Sequence, residues 1–154
     1  MKKITFIGLG VMGFPMAGHL SKQGYGVSVY NRSKEKSKLW TEKYNGKYFT
    51  SVKEAVTNSD IVFSCVGNDT DLIDITLGED KAFSAMKPDS VFVDHTTTSS
   101  DIAYELYKKA KEYEIHFLDA PVSGGEVGAV KGELTVMIGG EKPIFDRVNS
   151  AITA

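Results

Sequence analysis

Three glycines near the start of the chain, Gly8, Gly10 and Gly13, have the spacing G-x-G-x-x-G. They follow a short apolar run at residues 4–7, typical of a strand buried in a parallel sheet, and precede a segment with helical periodicity. In such a turn the first glycine permits the tight bend, the second lets a pyrophosphate approach the backbone, and the third lets helix and strand pack closely. Unpaired N–H groups at the start of the helix attract the phosphates. The spacing predicts a dinucleotide site, and the alternative is a glycine-rich turn that binds nothing.

The residue that ends the second predicted strand decides which nicotinamide cofactor is preferred. An Asp or Glu there would hydrogen-bond the ribose 2′-hydroxyl of NAD and repel a 2′-phosphate. This chain has Asn31, followed by Arg32, Ser33 and two lysines. Asn31 is neutral, Arg32 can pair with phosphate as a planar fork, and Ser33 can cap the next helix. We therefore predict a preference for NADP, with NAD possible. The alternative is that the basic residues form a solvated helix start.

Two further loops carry groups that could act on a substrate. Ser123, Gly124 and Gly125 offer a hydroxyl and two backbone N–H groups without side chains in the way, which suits a small carboxylate. The alternative is a flexible loop between strands. The hydroxyl of Thr96 could point toward the nicotinamide half of the cofactor, or Thr96 could belong to a helix cap.

Composition and charge exclude several other functions. A net charge of −2 provides no basic surface for nucleic acid, and the apolar runs are too short to cross a membrane. The three histidines lack metal-ligand spacing, so no metal site is predicted. A single cysteine, Cys65, fits a reducing compartment and predicts a cytoplasmic protein.

The elements that must position these residues alternate between strand and helix along one domain, residues 1–154. Such alternation predicts an α/β fold with a doubly wound, mostly parallel sheet of the Rossmann type and helices on both faces. The polar helix at residues 33–44 is expected to bury Leu39 and Trp40. Ser51 and Glu54 have capping-box spacing. The last predicted strand, residues 134–138, is expected to extend the parallel arrangement.

Three motifs carry a more specific resemblance. They read IGLGVMGFPMAGHL from Ile7, DHTTTSS from Asp94 and DAPVSGGEVGAVKGELTVMIGG from Asp119. The chain resembles the N-terminal domain of the β-hydroxyacid dehydrogenase family, which includes 3-hydroxyisobutyrate dehydrogenase and small semialdehyde reductases. The resemblance implies hydride transfer between a nicotinamide cofactor and a small hydroxyacid or semialdehyde bearing a carboxylate.

The resemblance also implies roles for individual residues. The third motif would supply Ser123, Gly124 and Gly125 to the substrate carboxylate, and the sequence Asn-Arg-Ser resembles that of NADPH-using members. The residues implied to contact the cofactor are Gly8, Leu9, Gly10, Val11, Met12, Gly13, Asn31, Arg32, Ser33, Val66, Asn68 and Thr96.

The chain departs from the family pattern at several positions. His95 and Thr96 replace an apolar residue and a serine of the second motif, and Ser100 stands where proline is common. Thr96 keeps the hydroxyl, whereas His95 could alter the substrate preference. A 6-phosphogluconate dehydrogenase-like domain is one alternative, but residues 128–132 lack the Arg-x-Gly-Pro usual there.

The resemblance places the catalytic lysine outside this chain, in a helical second domain. That lysine would move the proton at the reacting oxygen. No lysine here matches that motif, so we expect no catalytic residue among the 154 and little activity from them alone. The full-length enzyme would be a homo-oligomer. The alternative from another functional class is a non-catalytic nucleotide-binding module, complete at this length.

Overall fold

The computed structural model describes residues 1–154, and its centre is a six-stranded parallel sheet. The strands are β1 (Lys3–Ile7), β2 (Gly26–Tyr30), β3 (Lys47–Tyr48), β4 (Ile61–Ser64), β5 (Val91–Asp94) and β6 (His116–Asp119). Their spatial order is β3-β2-β1-β4-β5-β6, with every neighbouring pair parallel. This order reverses direction between β1 and β4, which is the doubly wound Rossmann arrangement. The predicted fold class is confirmed.

Seven helices connect the strands, an eighth follows the last strand, and together they cover both faces of the sheet. They are α1 (Gly13–Lys22), α2 (Lys34–Lys43), α3 (Val52–Val56), α4 (Asp69–Thr76), α5 (Ala82–Ala85), α6 (Ser100–Glu112), α7 (Gly125–Lys131) and α8 (Lys142–Ile152). The helix start predicted at Ser51 is confirmed as the N-cap of α3, where the Ser51 hydroxyl accepts a hydrogen bond from the Glu54 backbone N–H at 3.2 Å. No helix combines the length and apolar character needed to span a membrane.

The hydrophobic core divides into one cluster on each face of the sheet. One contains Phe6, Leu20 and Phe63 and is covered by α1 and α8, and the other contains Val62 and Phe92. Central strands β4 and β5 are buried at every position because helices cover both faces.

The prediction that Leu39 and Trp40 are both buried was half wrong. Trp40 is fully buried, and its indole N–H donates to the Phe14 carbonyl at 3.2 Å. Leu39 is 56% exposed. Adjacent helical residues point about 100° apart, so the narrow inner stripe of this polar helix accommodates only one of them.

The prediction that the last strand extends the parallel sheet was wrong. β8 (Thr135–Val136) does not join the parallel sheet; it pairs antiparallel with β7 (Val122–Ser123) in a separate two-stranded sheet. After α7 the chain folds back along the segment that follows β6, so that Val136 lies opposite Val122 and Gly139 forms an antiparallel bridge with Asp119. The Ser-Gly-Gly loop therefore lies between β7 and α7, outside the main sheet.

Candidate cofactor site

The glycine turn after β1 is closely packed at its first and third glycines. Gly8 has φ of 95°, and a methyl group there would overlap the carbonyl oxygen of Cys65 at the end of β4. A methyl group at Gly13 would overlap the Gly8 carbonyl oxygen and lie 3.0 Å from the Phe6 ring. Only glycine lets the chain bend beside β4 and return as α1 in direct contact with its own turn.

The second glycine faces open space. A methyl group at Gly10 would meet no protein atom within 4 Å. The backbone N–H groups of Gly10, Val11, Met12 and Gly13 donate to no protein acceptor, and no side chain caps α1. These groups at the positive end of a helix can hold a pyrophosphate, so the turn fits the cofactor that the sequence predicts.

Asn31 connects the glycine turn to the loop after β2. Its side-chain oxygen accepts a hydrogen bond from the Leu9 N–H at 2.8 Å, and its amide nitrogen donates to the Ser33 carbonyl at 3.1 Å. The sequence predicted Asn31 as a cofactor contact whose neutral side chain tolerates a 2′-phosphate. The structure adds that an asparagine, which both accepts and donates, holds the two loops together.

Arg32 and Ser33 are exposed beside this connection. The Arg32 side chain is 90% exposed, and its Nη1 lies 3.7 Å from the Asp71 carboxylate. Ser33 occupies the N-cap position of α2, but its hydroxyl makes no cap hydrogen bond and lies 3.4 Å from Glu35 instead. The predicted capping role of Ser33 was therefore wrong, because the hydroxyl turns toward this neighbouring side chain.

Val66, Asn68 and Thr96 lie where β4 and β5 end. The Val66 N–H donates to the Thr96 hydroxyl at 3.0 Å, which connects the two loops. Thr96 is buried. Asn68 caps α4, because its side-chain oxygen accepts from the Asp71 N–H at 2.9 Å. All three residues have structural roles in these loops, and their contact with a cofactor stays a prediction.

Asp94 was missed by sequence reasoning and holds the Thr96 loop. It is fully buried, and its Oδ1 accepts hydrogen bonds from the Ser64 hydroxyl at 2.7 Å and the Thr96 N–H at 3.0 Å. Its Oδ2 has no partner, and neither has Oδ1 of Asp119, its register partner on β6. Burial raises the pKa of the Asp94 carboxyl to about 6 and also raises the pKa of Asp119. The sequence contained one signal for this role, which is an acidic residue directly after the apolar run of β5.

This raised pKa predicts the pH dependence of stability. Between pH 3.8 and about 6 the folded chain retains a proton on Asp94 that the unfolded chain has released, so this group's contribution to stability falls as pH rises. In Asp94→Asn the amide oxygen can still accept from Ser64 and Thr96, and no buried charge forms. We expect the variant to gain about 1–3 kcal/mol in unfolding free energy relative to wild type between pH 4 and pH 7.

Urea denaturation at several pH values measures this difference. Asp74→Asn, which removes an exposed carboxylate from α4, is the matched control and should show no such gain. A constant difference between Asp94→Asn and wild type across this pH range would contradict the prediction.

The Ser-Gly-Gly loop is exposed before α7. Gly124 and Gly125 both have positive φ, at 137° and 63°, and their N–H groups donate to no backbone or side-chain acceptor. The Ser123 side chain is also free of hydrogen bonds, and Ser123 pairs with Thr135 of β8. The loop presents donors that can hold an anion. No hydrogen bond joins it to the glycine turn, but the helices that follow the two loops are in contact, since Nε2 of His19 on α1 lies 2.9 Å from the Ala129 carbonyl oxygen of α7.

His95 lies on the α1 and α8 face of the sheet. Its ring stacks on Phe63 at 5.4 Å between centroids, and its Nδ1 lies 2.7 Å from the Ala120 carbonyl oxygen. Burial lowers the pKa of His95 to about 4, so the ring is neutral at pH 7. It lines an apolar cavity of about 440 Å³ to which none of the predicted cofactor residues contributes.

Comparison with known proteins places this geometry in a family. Residues 3–154 match the model of the NAD binding domain of 6-phosphogluconate dehydrogenase. An uncharacterized oxidoreductase of Shewanella frigidimarina is 53% identical over the whole chain, which covers 53% of that protein. A probable mitochondrial 3-hydroxyisobutyrate dehydrogenase-like protein of Arabidopsis thaliana is 40% identical over 144 residues, covering 94% of this chain and 48% of the relative.

Solved structures show the same fold. The 3-hydroxyisobutyrate dehydrogenase of Mycobacterium tuberculosis, solved with L-serine, superposes with a TM-score of 0.90 at 29% identity. The match covers 99% of this chain and 51% of that one. The chain thus spans about half the length of each of these three relatives.

Proposed function

The chain belongs to the family of NAD-binding domains described for 6-phosphogluconate dehydrogenase, which also occurs in 3-hydroxyisobutyrate dehydrogenase-like oxidoreductases. From this family we propose a more specific function. It is the cofactor-binding domain of an NADP-preferring 3-hydroxyacid dehydrogenase or small-aldehyde reductase. The observation that carries the proposal is the group of four unpaired backbone N–H groups around Gly10, adjoining a loop with neutral Asn31 and exposed Arg32.

Each part of the domain has a separate task in this proposal. The N–H groups from Gly10 to Gly13 bind the pyrophosphate, and Arg32 pairs with the 2′-phosphate. The bound nicotinamide supplies the hydride chemistry, while the protein supplies orientation and electrostatics. Ser123, Gly124 and Gly125 hold the substrate carboxylate through the hydroxyl and the unpaired N–H groups.

Proton transfer belongs to a lysine outside these residues, as the family resemblance implies. Since general acid–base catalysis contributes about 10²–10⁴-fold, we expect the 154 residues alone to bind cofactor with little turnover. The full-length protein should oxidise small 3-hydroxy acids with NADP⁺, which absorbance of the reduced cofactor would report. Cofactor binding without oxidation of any small hydroxyacid would favour a non-catalytic nucleotide-binding module.

The cofactor preference is tested by calorimetric titration of NADPH and NADH into the 154-residue chain. We expect NADPH to bind more tightly, and we expect Arg32→Ala to weaken NADPH binding by about tenfold through loss of one charged hydrogen-bonding partner. Asn31→Asp should reverse the preference, because the new carboxylate repels the 2′-phosphate and can accept from a ribose hydroxyl. The carboxylate can still accept from the Leu9 N–H, but the hydrogen bond to the Ser33 carbonyl is lost.

Lys36→Ala is the matched control for this experiment. It removes one exposed positive charge from the same helix start and should leave the ratio of NADPH to NADH affinity unchanged. Equal affinities in the wild type, or the same loss in Lys36→Ala as in Arg32→Ala, would mean that the basic residues are only a solvated helix start.

A further inference from the structure

Arg32 and Asp71 form an ion pair across the end of the strand that carries the glycine turn. Arg32 follows β2, and Asp71 lies in the first turn of α4, which follows β4. Strand β1 lies between β2 and β4 in the sheet. The pair therefore connects the loops on either side of β1, at the edge where its glycine turn begins.

The two partners differ in how firmly they are held. The Asp71 carboxylate packs over Gly67, where a methyl group would lie 2.5 Å from its Oδ2. The Asp71 backbone N–H is bound to Asn68 at 2.9 Å, and its side chain is 29% exposed. Arg32 is 90% exposed and makes no hydrogen bond. Asp71 is thus the fixed partner, and Arg32 is the one that can turn toward another anion.

The pair itself is weak. The 3.7 Å separation of Nη1 and Oδ1 exceeds hydrogen-bond distance, and ion pairs as exposed as this one contribute little because solvent screens them. A phosphate can therefore displace Asp71 from Arg32 at small cost. The Asp71 carboxylate nevertheless stays in place and repels the phosphate. Repulsion between two negative charges extends over several ångströms at a surface where solvent screens it only in part.

We propose that Asp71 is a specificity-determining residue that limits the affinity for the 2′-phosphate by competing for Arg32 and by repelling the phosphate. This inference rests on the proposed role of Arg32 in binding NADP. With Asp71 present, part of the Arg32 charge is compensated, so an incoming 2′-phosphate meets a weaker attraction than Arg32 alone would provide. Removal of the carboxylate leaves Arg32 uncompensated.

The test compares Asp71→Asn with wild type, using adenosine 2′,5′-bisphosphate and adenosine 5′-monophosphate as probes that differ only in the 2′-phosphate. The substitution keeps the side-chain shape, the space over Gly67 and the Asn68 cap. We expect the bisphosphate to bind roughly three- to tenfold more tightly at low salt, and the monophosphate to bind unchanged. The gain should shrink at high salt.

Two further variants isolate the cause. Asp74→Asn removes an exposed carboxylate from the same helix and should leave both affinities unchanged. In the Arg32→Ala background, Asp71→Asn should give a smaller gain, since only the repulsion between Asp71 and the phosphate remains to be removed.

The outcomes separate this inference from the proposed function. If Arg32→Ala leaves the preference for the bisphosphate unchanged, the proposed role of Arg32 fails. If Arg32→Ala removes that preference but Asp71→Asn does not tighten bisphosphate binding, the role of Asp71 alone is refuted. An equal gain for both probes, or the same gain in Asp74→Asn, would also refute it.

Discussion

Replacement of Gly13 by alanine is expected to lower the free energy of unfolding by about 3 kcal/mol and to abolish dinucleotide binding. In an ordinary helix this substitution would be stabilising by up to about 1 kcal/mol. Here the added methyl group would overlap the Gly8 carbonyl oxygen and press on the Phe6 ring. Because the obstacle is backbone held in the turn, α1 must move away from β1, and both packing and site geometry are lost.

Urea denaturation with the linear extrapolation measures this effect. Gly26→Ala is the matched control, because Gly26 is exposed, has no positive φ, and a methyl group there meets nothing within 4 Å. The control should stay within about 0.5 kcal/mol of wild type. If Gly13→Ala is as stable as Gly26→Ala, close packing of α1 on its own turn does not explain the third glycine.

The second large effect is expected at Gly10, where substitution by alanine should weaken cofactor binding and leave stability unchanged. Gly10→Ala places a methyl group in open space, so the free energy of unfolding should stay within about 0.5 kcal/mol of wild type. The methyl group would occupy the space that the pyrophosphate needs in order to reach the unpaired N–H groups. Loss of two such charged hydrogen bonds corresponds to roughly a hundredfold weaker NADPH binding.

Parallel calorimetric titration and urea denaturation of Gly10→Ala and Gly26→Ala test this separation. Normal NADPH affinity in Gly10→Ala would show that the turn does not bind the pyrophosphate. That result would favour the alternative hypothesis of a glycine-rich turn that binds nothing. A large loss of stability in Gly10→Ala would instead mean that the space beside Gly10 is needed for folding.

Sequence reasoning succeeded where a property repeats over short distances. The apolar run at residues 4–7 predicted a buried strand, and β1 is buried at all four of these positions. The three-residue spacing of Ser51 and Glu54 predicted a helix start that the hydrogen bond between them confirms. Both predictions depend on local periodicity or on a contact within one turn, so the nearest neighbours along the chain are sufficient to make them.

The same reasoning failed or stopped where a residue depends on a distant part of the chain. Leu39 and Trp40 are both large and apolar, and only the folded chain shows that Trp40 is the buried one, where it packs beside Tyr44 and donates to the Phe14 carbonyl. The strand predicted at residues 134–138 contains β8 but was assigned to the wrong sheet, because its pairing with β7 depends on how the chain folds back after α7.

The sequence by itself determined the parallel α/β architecture, the glycine turn and its following helix, because these are set by hydrophobic period and by residues within one turn of each other. The tertiary structure alone decided that Asn31 binds Leu9, that Arg32 faces Asp71, and that Asp94 lies buried beside Asp119. Each pair comes from different strand ends that the sheet brings together. Their interaction depends on strand order and register, and the spacing of residues along the chain reveals neither of these.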